Sequence, residues 1–140
     1  MSLSATYQQH AKQYRAVQAE TASPTQLVVM LYDGAIRFLS AAKQGMETGD
    51  LETQSRNLLK TQKIICELMS TLDRARGGEI AANLHRIYLY MLEQLVEANL
   101  YDRTKPLDNV LEMLRDLRAS WVEINLQQNR TKAAVETYDK

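Results

Sequence analysis

The hydrophobic positions of this chain fall into four runs at helical spacing, with no stretch of the two-residue alternation that marks a strand. The first run opens at Ser23-Pro24, where the serine oxygen can cap free amides and proline suits the first helical position. Leu27, Leu31, Phe38, Ala42 and Met46 then predict a helix from about Pro24 to Met46 with one buried side. Gly45, Gly49 and Asp50 mark the first reversal, with Gly49 suited to a left-handed cap and Asp50 to capping the next helix. Leu51, Leu58, Ile65, Leu68, Met69 and Leu72 define the second helix, and Gly77-Gly78 the second break. Ile80, Leu84, Ile87, Met91 and Leu95 define the third, which Asp102 to Pro106 ends. The fourth pattern is the cleanest: Leu107, Val110, Leu114, Leu117, Trp121 and Ile124 alternate steps of three and four, as in a bundle seam.

Four long helices with short links predict an all-α fold, an antiparallel up-down-up-down four-helix bundle over residues 23–126. Residues 1–22 are mostly polar and weakly helical, and read as an amino-terminal helical arm on which Tyr7 and Tyr14 share a face. From Gln127 the pattern is lost, so residues 127–140 are expected to form a mobile tail.

Charge and composition narrow the function. Lys plus Arg equals Asp plus Glu at 17 each, which argues against a nucleic-acid partner, since such binders draw most of their affinity from phosphate neutralisation. Cys66 is the only cysteine and cannot form an internal disulfide, which suits a reducing compartment. The amino terminus lacks the apolar run of a secretory signal, and no stretch of about 18 apolar residues is present to insert in a membrane. A cytoplasmic location is expected.

Catalytic chemistry lacks parts. A di-iron site needs paired Glu-x-x-His motifs, and neither His10 nor His85 has a Glu three residues before it. His85 reads as an ordinary helix-surface or rim residue, and no Cys-x-x-Cys-His haem attachment exists. Cys66, beside Ile65, reads as a small core or boundary residue, and Glu93 and Glu97 as solvated charges. Gly77-Gly78 does not extend to a phosphate-binding loop. No catalytic residue, metal or cofactor is expected; the chain is not an enzyme on this reading and works by binding another polypeptide.

Apolar residues in excess of the seams support that reading. On the first helix Val29 and Ile36 lie about 140–160° from Leu31, with Tyr32 between the two faces. On the third helix Leu89, Leu92, Val96 and Leu100 form a second stripe, roughly 80–160° around from Leu84. Such faces either pack against the arm and neighbouring helices or form grooves for an amphipathic partner helix. Both readings stand at this point.

The residues also carry a family resemblance. Thr21-Ala22-Ser23-Pro24, followed after two residues by Leu27-Val28-Val29-Met30-Leu31-Tyr32-Asp33-Gly34-Ala35-Ile36-Arg37-Phe38-Leu39, resembles the opening of the flagellar secretion chaperone (FliS) family. Gln62 to Leu68 with Leu72-Asp73, Gly77 to Leu84, and Tyr88-Leu89-Tyr90-Met91 running to Glu97-Ala98-Asn99 agree in order and spacing. Leu117-Arg118 to Trp121 is similar to the family's last helix, and the resemblance covers about residues 7–125. Leu89 departs from it, standing where a polar residue, often Asp, is more usual.

The resemblance implies a chaperone that binds the carboxy-terminal segment of flagellin in the cytoplasm, prevents premature polymerisation and delivers the subunit to the flagellar type III export gate. It implies an arm that folds over the bundle and rearranges when flagellin wraps around it, with Tyr7 and Tyr14 in docking to the gate. Val29, Tyr32, Ile36, Leu89, Leu92 and Val96 are then the candidate client contacts, and Gly34 a helix-packing residue. The alternative from another class is a structural or adaptor bundle that forms a homodimer through the same faces.

Overall fold

The structure, a computed structural model, describes residues 23–138. Among these residues the chain is all-α and contains four helices: α1 (Pro24–Thr48), α2 (Leu51–Ser70), α3 (Arg74–Tyr101) and α4 (Lys105–Tyr138). The arm, with Tyr7 and Tyr14, lies outside the described residues.

The helix ends are set by local chemistry. The Ser23 hydroxyl accepts the Gln26 amide while the Gln26 side chain accepts the Ser23 amide, and Pro24 occupies the first turn. Gly49, at φ 74°, closes α1 in the left-handed conformation. Asp50 then caps α2 through the Thr53 amide, and the Thr53 hydroxyl also donates to its carboxylate. Together these bonds hold the Asp50 carboxyl below its ordinary value. Asp73 caps α3 by accepting from the amides of Ala75 and Arg76. Asp102, at φ 51°, ends that helix.

Each helix packs on two neighbours, in the ring order α1, α2, α3, α4. Along α1 and α2 the facing positions grow further apart in sequence as the helices leave the turn. Gly45 lies beneath the Gln54 backbone, Phe38 sits under the Lys60 ammonium, and Gly34 meets Ile64. A polar clamp secures the far side of the turn, where the Gln54 amide donates to Asn99 at 3.1 Å and to Asp102 at 3.2 Å. Ion pairs from Lys43 to Asp108 and from Arg118 to Asp33 join α1 to α4.

The core is built from Tyr32, Ala35, Leu39 and Ala42 of α1, Leu58, Ile65 and Leu68 of α2, Tyr88, Met91, Leu95 and Ala98 of α3, and Leu107, Val110, Leu111 and Leu114 of α4. The α4 seam thus follows its sequence pattern through Leu114, with Leu117 and Trp121 packed half-buried beyond it. On α1 the seam lies one position round from the expected stripe. Leu31, Phe38 and Met46 are only half-buried and Leu27 is exposed. The reason is size: Gly34, Ala35, Ala42 and Gly45 turn inward and let the helices approach, so the larger residues beside them are pushed to the flank.

The second break and the end of the last helix also shift, while the break at Asp102–Pro106 falls where the sequence predicts. The α2–α3 connection is Thr71–Asp73, and Gly77-Gly78 falls inside α3 as a kink with Gly78 at φ 52°, ψ −125°. The fourth helix continues past residue 126 to Tyr138. Its contacts with the start of α1 run through Asn125, near the Ser23 hydroxyl, and Gln128, which accepts from Thr25. Residues 129–138 are exposed and extend for about 15 Å at 1.5 Å per residue.

Candidate functional site

An open apolar trough of about 910 Å³ runs between the first half of α1, the end of α2 and the start of α3. Its walls are Leu27, Leu31 and Phe38 from α1, Ile64, Leu68 and Leu72 from α2, and Ile80 and Leu84 from α3, with Trp121 of α4 contributing from behind. Gly34 gives the trough its depth, since a Cβ there would stand 3.1 Å from the Ile64 Cδ1 atom. Polar groups are confined to a few positions, among them Arg37, Glu67 and Asp73. Two cations lie over the Phe38 ring, the Arg37 guanidinium at 4.9 Å and the Lys60 ammonium at 5.1 Å from its centroid. An elongated apolar bed with charges spaced along it has the form of a receptor for an amphipathic helix.

Tyr88 lines this trough, and its hydroxyl meets that of Tyr32 at 2.5 Å. Burial, reinforced by the hydrogen bond between the two hydroxyls, pushes the Tyr32 hydroxyl far above the ordinary tyrosine value, and burial raises Tyr88 as well. Both remain neutral hydrogen-bonding groups at physiological pH.

The structure redistributes the residues named from sequence. Tyr32 is 0% exposed, so its expected contact with a client gives way to a place in the core beside Tyr88. Val29 and Ile36 are half-buried, Ile36 packing against the core, and neither lines the trough. Leu92 is likewise half-buried against the core. Leu89 and Val96 are exposed, by 42% and 56%, and share a helix face with the exposed Leu100. Two surfaces therefore stand where one was expected: the trough and an apolar stripe along α3.

The trough is not legible in the sequence. Hydrophobic spacing puts Leu27, Leu31, Phe38, Ile80 and Leu84 in the core, and only Gly34, as a site of close helix approach, points to the dip between α1 and α2. Ile80 is 73% exposed. Cys66 is exposed too, rather than lying at a core boundary. Among the described residues no group of three or more His, Cys, Asp or Glu could hold a metal ion. No helix there is long and apolar enough to cross a membrane.

Comparison with known proteins places the chain in a family. Residues 7–129 match the family described as "Flagellar protein FliS". The chain is similar to the flagellar secretion chaperone FliS of Bacillus subtilis (strain 168), at 38% identity over 77% of this chain and 80% of the relative. It is 35% identical to the flagellar secretion chaperone FliS of Vibrio cholerae, over 84% of this chain and 86% of the relative. For the flagellar secretion chaperone FliS of Salmonella typhimurium the identity is 37%, over 81% and 88% of the respective chains.

Proposed function

The chain belongs to the FliS family of flagellar secretion chaperones, which are not enzymes, and on that premise we propose that it holds the carboxy-terminal segment of flagellin in its apolar trough before export. A chaperone of flagellar export needs a surface for an export substrate, and the trough supplies one. Its length along α1, from Leu27 to Phe38, spans three helical turns, enough for anchors at i, i+3 or i+4, and i+7 of a client helix.

The energetics suit a holding protein. A client that is disordered when free gives up about 2–5 kcal/mol in ordering itself on the surface, so a large contact area yields restrained affinity and permits release. No nucleotide is required for that cycle. The exposed α3 stripe of Leu89, Val96 and Leu100 extends the apolar surface beyond the trough and would carry a second stretch of a wrapping client. Occupying the segment keeps flagellin from polymerising in the cytoplasm, and handover to the export gate follows through Tyr7 and Tyr14 of the arm.

Calorimetric titration with flagellin, intact and lacking its carboxy-terminal segment, tests this function. Binding of the intact form alone is expected. Equal binding of both would move the contact to another part of flagellin. Binding of neither, with dimers in sedimentation that a Val96→Asp substitution dissociates, would make the α3 stripe a homodimer interface instead.

A further inference from the structure

The wall of the trough contributed by α3 is not continuous. Gly78 adopts φ 52°, ψ −125°, a conformation that L side chains rarely reach. A Cβ added at Gly78 would meet nothing within 4 Å, so glycine is required there by the backbone and not by space. Its neighbour obeys the opposite constraint: a Cβ at Gly77 would stand 2.8 Å from the Ala81 Cβ. The pair sits at the trough, whose lining includes Asp73 and Gly77 before the joint and Ile80, Ala81 and Leu84 after it.

The turn before the joint is a self-contained unit. Asp73 accepts from the amides of Ala75 and Arg76 through its carboxylate and from Gly77 through its carbonyl at 2.7 Å, and it pairs with the Arg76 guanidinium. Among the described residues, no hydrogen bond or ion pair ties Arg74–Gly77 to another helix. Just past the joint, Ile80 is 73% exposed although it lines an apolar trough. An uncovered isoleucine beside a loosely held turn is what a wall open to an incoming apolar partner presents.

We infer that Asp73–Gly77 is a lip that pivots between the Thr71–Leu72 connection and Gly78, and swings to close on a bound amphipathic helix and cover Ile80. Glycine absorbs the backbone rotation because its accessible conformations are broad, and hinges commonly sit at such element ends. The Asp73 cap moves with the lip, so closure breaks none of its hydrogen bonds. Client residence time then depends on the lip as well as on the walls, which gives the chaperone a release step that leaves the four-helix core undisturbed. This inference rests on the trough being the client site.

Hydrogen exchange of the wild-type protein with and without flagellin tests it, together with binding by Gly78→Ala and Gly77→Ala. Closure predicts slowed exchange across residues 74–81 in the complex, along with residues 24–38 and 64–72. Gly78→Ala is expected to weaken binding about tenfold, mainly by faster dissociation, and to lower the melting temperature of the free protein through the strain of alanine at this φ. Gly77→Ala should behave similarly, and adding Ala81→Gly should restore part of the loss by reopening space. Slowed exchange along α1 and α2 with residues 74–81 unchanged would overturn the hinge while leaving the trough as the client site. Protection that avoids the trough altogether would remove that reading, and the hinge with it.

Discussion

The hydroxyls of Tyr32 and Tyr88 meet across the bundle, joining α1 to α3, two helices that are not neighbours in the ring. Both rings are essentially inaccessible, and the Tyr88 hydroxyl depends on Tyr32 for a partner, whereas Tyr32 also has Trp121 within hydrogen-bonding reach. Replacing Tyr32 therefore costs more than the bond itself is worth, because Tyr88 is left buried and unpaired.

Tyr32→Phe is expected to lower stability by about 1–3 kcal/mol, and Tyr32→Phe/Tyr88→Phe by less than the sum of the single changes. Urea unfolding of the four proteins measures the coupling, and strict additivity would contradict the dependence of Tyr88 on Tyr32. The pH dependence has a definite sign. Both tyrosines have raised values in the folded state, so their contribution is complete below the unfolded value of about 10 and declines as pH rises above it. Wild type should lose stability over that alkaline range more steeply than the double variant.

Two helical glycines separate space from propensity. At Gly45 a Cβ would stand 2.8 Å from the Gln54 nitrogen and 3.1 Å from the Asp50 oxygen, both backbone atoms fixed by the turn. At Gly34 the obstacle is the tip of the Ile64 side chain at 3.1 Å, which can rotate aside. Gly45→Ala is expected to destabilise by about 1–3 kcal/mol. Gly34→Ala should be near neutral in thermal unfolding, since alanine returns about 1 kcal/mol of helix propensity against the repacking. The trough, however, becomes shallower, so Gly34→Ala should weaken client binding even where stability is unchanged.

The fold was legible because capping and turn chemistry are local. Ser23-Pro24, Gly49 and Asp50 act as their residue types predict. What sequence could not rank was depth. On α1 the stripe of large residues through Leu31 and Phe38 lies beside the stripe through Tyr32, Ala35 and Leu39, and periodicity alone does not say which one faces in. Packing turned inward the face that carries Gly34, Ala35, Ala42 and Gly45, which took Tyr32 and Leu39 into the core with it and left Leu31 and Phe38 for the trough. On α3 the excess apolar stripe of Leu89, Leu92, Val96 and Leu100 divides: Leu89, Val96 and Leu100 are exposed, while Leu92 is half-buried against the core.

The end of α4 illustrates a different limit. Loss of the seam at Gln127 marks where burial stops, not where the helix stops, because exposed residues such as Lys132, Ala133 and Ala134 sustain the backbone pattern unaided. Truncation after Arg130 should therefore leave thermal stability within about 0.5 kcal/mol of wild type, while amides beyond that point exchange rapidly in the full chain. A larger loss of stability would mean that the extension packs on something outside residues 23–138.

The extent of the client footprint can be read from two exposed positions. Leu27 lines the trough and Val96 lies on the α3 stripe; neither belongs to the buried core, so an aspartate at either should leave the helix content intact. Burying a leucine or valine against a client is worth about 1.5–3 kcal/mol, so Leu27→Asp should weaken flagellin binding ten- to a hundredfold or more once desolvation of the charge is added. Val96→Asp is expected to weaken it as well, because a client that wraps beyond the trough must cross the stripe. Calorimetry on both variants, with circular dichroism as the check on folding, separates the cases. An impaired Leu27→Asp beside a Val96→Asp that binds like wild type would confine the client to the trough. The reverse would place it on the α3 stripe alone, and the trough would then need another occupant.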